Sequence, residues 1–155
     1  MLIRRAGEED IGGILELLSQ VLKVHADIRP DLFIPDRTKY TALELEEILR
    51  DDNRPVFVAI RDDKVAGYAF CILKDEPSTN VTYAQRELYL DDLCVDAAYR
   101  GTDVAADIFR YVKEAASKRG CSFLTLNVWE GNIAAERFYE KMGMSPRKTM
   151  MEIML

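Results

Sequence analysis

The stretch Asp92-Leu93-Cys94-Val95-Asp96-Ala97-Ala98-Tyr99-Arg100-Gly101-Thr102-Asp103-Val104-Ala105 runs from a strand end, through a short loop with one glycine, into a helix start. A helix N-terminus offers unpaired N–H groups and the positive end of the macrodipole, which suits a phosphate. Arg100 adds a fixed cation. The same residues also fit a plain strand-to-helix connection carrying an exposed arginine.

Working outward, Glu87 to Val95 reads as the strand feeding this loop. Upstream, Val56–Ile60 and Val65–Leu73 are apolar β-prone runs joined by Arg61-Asp62-Asp63-Lys64, a hairpin. Leu2–Arg5 reads as a short strand, and Ile11, Ile14, Leu15, Leu18 and Leu22 as the core stripe of a helix broken at Arg29-Pro30. Leu43, Leu45, Ile48 and Leu49 mark a second helix. Downstream, Val104, Ile108, Tyr111, Val112 and Ala115 share one helix face, closed by Lys118-Arg119-Gly120. Cys121–Trp129 then reads as a strand, Asn132–Met142 as a helix stopped by Gly143, and Arg147–Leu155 as a final strand. The order predicts an α/β (α+β) fold: a mixed sheet of six to seven strands with about four helices on its faces. The unit Glu87 to Trp129 should be a right-handed parallel crossover. No repeat or linker interrupts residues 1–155, so one domain is expected.

Composition narrows the function. The chain is 48% hydrophobic and 31% charged, as in a folded water-soluble domain. No apolar run approaches the roughly 18 residues that cross a bilayer, and Met1–Arg5 lacks the core of a secretion signal. A cytoplasmic protein is the expectation, with Cys71, Cys94 and Cys121 as buried thiols in a reducing compartment. A lone histidine, His25, without other ligands around it implies no metal site. The net charge of −6, without a basic block, argues against nucleic acid and mildly favours a cationic substrate.

A second informative segment is Leu126-Asn127-Val128-Trp129-Glu130-Gly131-Asn132, followed by Ala134, Ala135, Phe138, Tyr139 and Gly143. On local chemistry Asn132 is a helix N-cap, and Phe138 and Tyr139 fit as core aromatics.

Together the two segments resemble the GCN5-related N-acetyltransferase (GNAT) family in order and spacing, and the likeness extends over most of the chain. In that family Arg-Gly-x-Gly-x-Gly/Ala after the fourth strand cradles the pyrophosphate of coenzyme A; Arg100, Gly101 and Ala105 match it here. The resemblance implies a cofactor site made of Arg100, Gly101, Thr102, Asp103, Val104 and Ala105. Asn132 and Tyr139 join it from the second motif. It also implies a V-shaped opening between the fourth and fifth strands, where the pantetheine arm pairs with backbone near Leu93, Cys94 and Val95. A backbone N–H there would polarise the acetyl carbonyl.

The activity so implied is acetyl transfer from acetyl-CoA to a primary amine of a small molecule, peptide or protein, by direct attack. Tyr139 falls where the family commonly places the acid that protonates the leaving thiolate. Leu90-Asp91-Asp92-Leu93 looks like the acidic pair of polyamine-type acetyltransferases. Asp91 is the chosen base, with Asp92 and Glu87 behind it, and strand alternation puts Asp91 and Asp92 on opposite faces. Two adjacent acids on a strand also occur simply as charge at a sheet end. Asn127 stands where acetylases of protein N-termini often carry glutamate. Asp103 is the departure: glycine is expected there, and a carboxylate beside a pyrophosphate is repulsive. That departure keeps a rival reading open, a non-catalytic acyl-CoA-binding or regulatory protein on the same fold, and behind it a scaffold with no ligand. Substrate identity is expected to reside in Lys23–Tyr40 and Asp75–Arg86, where Asp27, Asp31, Asp36 and Tyr40 fit an amine site but fit a solvated charged loop better. A homodimer is implied by analogy alone.

Overall fold

The computed structural model describes all residues 1–155. In chain order the elements are β1 (Leu2–Arg5), α1 (Ile11–Ile28), α2 (Ala42–Leu49), β2 (Val56–Arg61), β3 (Lys64–Glu76), β4 (Gln85–Val95), α3 (Val104–Lys118), β5 (Phe123–Thr125) and α4 (Ile133–Lys141). They form one sheet in the order β1-β2-β3-β4-β5, antiparallel throughout except for the parallel β4–β5 pair. The four helices match the expectation.

The strand count does not. The sheet has five strands rather than six to seven. The segment 147–155 pairs with nothing, and β5 is ordered only over Phe123–Thr125 instead of Cys121–Trp129. β5 stops at Thr125 because β4 parts from it there and no strand pairs with its other edge.

Two apolar clusters sandwich the sheet. On one face Ile14, Leu17 and Leu18 of α1 and Leu45 and Ile48 of α2 pack on Val56, Val58, Tyr68, Phe70 and Cys94. On the other, Val104, Ile108, Phe109 and Val112 of α3 pack on Ala59, Ala69, Leu88 and Leu90. The β2–β3 turn places Asp62 and Asp63 at φ +52 and +58, the twist that a two-residue hairpin demands and that Asp tolerates. Helix α3 ends at Gly120 (φ +72), where Gly120 N bonds Ser117 O and Cys121 N bonds Ala116 O, a Schellman pair.

Gly67 lets α3 lie against β3. A Cβ built there would sit 2.7 Å from Ile108 Cδ1 and 2.9 Å from the Cys94 carbonyl oxygen. Neither the backbone oxygen nor the fully buried Ile108 has room to retreat. Gly67→Ala is therefore expected to lower stability by about 2 kcal/mol, read as a fall in denaturation midpoint at unchanged slope.

Candidate active site

Strands β4 and β5 pair only at Glu87–Phe123, Leu88–Leu124 and Tyr89–Thr125, then part. The resulting V opens toward the β4–α3 loop. Asp96 N donates to Ala66 O (2.8 Å), so the backbone of Asp96, and of Cys94 two residues earlier, faces β3. By alternation Leu93 and Val95 turn their N–H and C=O groups into the V. Of the three residues expected to line it, Cys94 departs: its side chain is buried under α1 as well, with a thiol that burial pushes up to about 12.

At the mouth of the V the N–H groups of Gly101, Asp103, Ala105 and Ala106 have no acceptor within the protein. Val104 N reaches only Thr102 Oγ1 at 3.5 Å, and the Val104 side chain is fully buried, so the backbone alone of this residue is available to a ligand. Gly101 holds φ +78, which lets the loop turn its amides outward. Arg100 is exposed and has no carboxylate partner. The loop is braced from two sides. Gln20 on α1 accepts from Ala97 N (3.0 Å), and Tyr99 donates to Asp62 Oδ2 (2.9 Å) on the hairpin turn. Free amides, a helix N-terminus and an unpaired guanidinium fit a pyrophosphate. The Asp103 carboxylate lies 3.5 Å from the Arg61 guanidinium and caps nothing.

The acidic pair is arranged differently from the alternation expected. The β3–β4 register shifts between Phe70 and Cys71: Phe70 pairs with Asp92 but Cys71 with Leu90, leaving Asp91 as a bulge. Leu88 and Leu90 face α3, whereas after the bulge Cys94 faces α1. Asp91 and Asp92 consequently both face the α1–α2 side. Asp92 accepts from the Tyr68 hydroxyl at 2.6 Å, and Asp91 accepts from Lys39 Nζ at 2.7 Å.

Their electrostatics differ. Burial pushes the Asp92 carboxyl up to about 6, opposed by the Tyr68 hydrogen bond and the Lys39 charge. Burial pulls the Lys39 ammonium down, but the hydrogen bond and charge of Asp91 outweigh it and hold Lys39 above its ordinary value. Tyr139, on α4, packs against Phe138 (5.1 Å) and Phe109 (6.0 Å) and has no hydrogen-bond partner for its hydroxyl. Burial, with the charge of Asp92 behind it, holds its phenol well above the usual range.

Other expected residues stand apart. Glu87 lies at the closed end of the V, bonded by Thr125 and 3.8 Å from Arg147. Asn132 caps α4 through Ala135 N (3.3 Å), and Asn127 donates to the Tyr89 hydroxyl (2.8 Å). In the loop between α1 and α2, Asp31 is tied to Arg29, while Tyr40 stacks on Phe70 (5.6 Å) beside the acidic pair. Asp75 is taken by Arg86. Lys39 and Tyr68 were not foreseen. Lys39 is 52 residues from Asp91 in an irregular loop, and nothing in its neighbours signals the contact.

No group of three or more His, Cys, Asp or Glu side chains converges as for a metal, and no helix is long and apolar enough to cross a membrane.

Residues 21–144 match the acetyltransferase (GNAT) family. Thialysine N-epsilon-acetyltransferase of Bos taurus is 30% identical over 153 residues, covering 92% of this chain and 83% of that protein. Among solved structures, a tetramutant of the BH1408 protein from Bacillus halodurans superposes with a TM-score of 0.95 at 26% identity, over 100% of both chains. An aminoglycoside N-acetyltransferase in complex with CoA shares the fold, with a TM-score of 0.74 at 16% identity over 99% of this chain and 98% of that one.

Proposed function

This chain belongs to the acetyltransferase (GNAT) family, and from that premise we propose that it moves an acetyl group from acetyl-CoA to the primary amine of a small molecule. The observation that carries the substrate class is Lys39. A primary alkylammonium already rests on Asp91, 2.7 Å away, beside the enclosed carboxyl of Asp92. A diffusible alkylamine that displaces Lys39 meets the same two carboxylates. The thialysine and aminoglycoside acetyltransferases, both named for amine substrates, support small amines ahead of peptides.

Acetyl-CoA supplies an activated acetyl thioester. Gly101, Asp103, Ala105 and Ala106 offer backbone donors to its pyrophosphate, with Arg100 as counter-charge and Thr102 holding the loop. The amides of Leu93 and Val95 would line the pantetheine path, and one of them would donate to the acetyl oxygen. Asp91, the base expected from sequence, is better suited to anchoring the ammonium. Asp92, near 6, is ionised at neutral pH and basic enough to take the proton, directly or through water. Tyr139 protonates the departing thiolate. We further take residues 1–155 to act as one domain, in the cytoplasm, paired with a second copy of the chain and with neither nucleic acid nor membrane.

The test is thiol release from acetyl-CoA across an amine panel: ω-amino acids including thialysine, polyamines, aminoglycosides and lysine peptides. Turnover of at least one small amine well above the peptides is the expected result. Turnover of peptides alone would overturn the substrate class.

The repulsion anticipated from Asp103 is offset by Arg61, whose guanidinium lies 3.5 Å from the carboxylate, and solvent screens both groups. Asp103→Gly is expected to change the acetyl-CoA dissociation constant by no more than about twofold in calorimetric titration. The non-catalytic reading, which rested on Asp103, loses its motive with it.

A further inference from the structure

Lysine meets a carboxylate at two places in this chain, and the two pairs differ in kind. Lys118 pairs with Glu114 along an open face of α3, with both side chains in water. Lys39 comes in from the loop between α1 and α2 and sets its Nζ 2.7 Å from Asp91 on β4, a side chain only 20% exposed. The charge of Asp92 acts on the same ammonium. The chain beside Lys39 is pinned. Tyr40 stacks on Phe70, Thr38 Oγ1 donates to Tyr40 O (2.8 Å), and Thr41 caps α2 by accepting from Glu44 N (3.2 Å). Lys39 Nζ also lies 5.5 Å over the Tyr40 ring. A primary amine is thus held against the acidic pair by a fixed piece of backbone.

We infer that Lys39 is a modification site: with no diffusible amine present, the protein acetylates it in cis from acetyl-CoA. The inference rests on the acetyl transfer proposed above, which puts the substrate ammonium where Lys39 stands. The Lys39 ammonium gives a proton to Asp92, which returns it to solvent after the reaction. The freed nitrogen lone pair forms a C–N bond to the acetyl carbon, and the C–S bond breaks. Tyr139 protonates the departing sulfur and regains its proton from the newly bonded nitrogen. The products are N-acetyl-Lys39, the thiol of coenzyme A and a proton. An amine delivered by the chain itself has no translational freedom to lose, so it competes where a free peptide lysine does not. The acetyl group removes the charge that holds Lys39 on Asp91.

Spontaneous acetylation by a thioester favours a different set of lysines. Lys23, Lys64 and Lys113 are exposed. Lys39 is half-buried, and Asp91 holds its ammonium above the ordinary value. A protonated amine has no lone pair to attack with. Lys39 therefore reacts ahead of the exposed lysines only where a base takes its proton and the acetyl donor lies alongside.

The test incubates the full chain with acetyl-CoA and no added amine, and follows thiol release, intact mass and peptide maps. Lys39 should be acetylated at least about tenfold faster than Lys23, Lys64 or Lys113, with a matching burst of thiol. The rate should be first order and independent of protein concentration. Lys39→Arg keeps a cation against Asp91 but offers no amine to acetylate, and it should lose the burst. Acetylation of Lys23, Lys64 and Lys113 as fast as Lys39 is spontaneous chemistry and overturns the proposal. A Lys39 rate that falls on dilution marks transfer between chains and also overturns it. The amine panel runs in parallel. Turnover of a panel amine with Lys39 unmodified overturns self-acetylation and leaves the proposed function standing, whereas the absence of both reactions overturns both.

Discussion

Replacing Asp92 by asparagine is expected to lower kcat/KM by about 10²-fold and, at neutral pH, to make the protein more stable. The two effects share one origin. Asp92 lies beside Tyr68, Lys39 and Asp91, and its carboxyl sits near 6 because burial penalises the charge. An unfolded aspartate titrates near 3.9. The folded value is the higher one, so the group's stabilising contribution is complete below about pH 4 and is lost as pH rises through about 6. Two pK units correspond to about 3 kcal/mol, and partial contact with solvent reduces this to about 1–2. Asparagine keeps an acceptor for Tyr68 and carries no charge, so thermal melts at pH 5 and pH 7.5 should differ less in the variant. Activity runs the other way: kcat/KM of the parent should rise through about pH 6 as Asp92 ionises, and this acid limb should be absent from the variant. An unchanged rate with the limb intact would return the proton acceptor to Asp91 or to water.

The arrangement around Asp92 was only half legible beforehand. Helix α1, the hairpin turn and the Gly120 stop follow from local rules that the sequence obeys, and so does the glycine loop before α3. The bulge is a property of two strands, and it decides which face Asp91 takes. Its trace is present: Leu88 and Leu90 keep the two-residue period, then Leu93 and Val95 resume it one residue late. Reading alternation straight through Asp91-Asp92 assigned the pair to opposite faces. The partnership of Lys39 with Asp91, and that of Arg61 with Asp103, joins segments 52 and 42 residues apart. Such contacts depend on how the loops close over the sheet, which no local pattern encodes. The segment 147–155 is the reverse case. Its strand pattern is plain, but no strand pairs with it, and β5, the edge strand, is ordered for only three residues.

Tyr139→Phe is expected to reduce kcat by about 10²-fold while changing the affinity for acetyl-CoA little. The hydroxyl has no partner in the protein, and the ring rests on Phe109 and Phe138, so phenylalanine keeps the packing and removes only the proton. Melting should accordingly move little. Burial and the Asp92 charge hold the phenol far above 10, which keeps it protonated throughout the working pH range and also makes it a reluctant acid. Against a thiol near 8.5, each unit of mismatch opposes proton transfer by about 1.4 kcal/mol. That cost falls within the catalytic cycle itself. Once Asp92 takes the proton of the amine its charge is gone, and with it the part of the Tyr139 penalty that Asp92 imposed. The two groups thus act in sequence, base first and acid second. Asp92→Asn should make Tyr139 the easier donor even as it removes the base, so losing Tyr139 should cost that variant more than it costs the parent, and the double variant should lose more than the product of the single losses. Full multiplicative losses in kcat, with chemistry shown to limit the rate, would separate the two groups. A kcat unaffected by Tyr139→Phe would leave Tyr139 a core aromatic and hand the thiolate's proton to solvent.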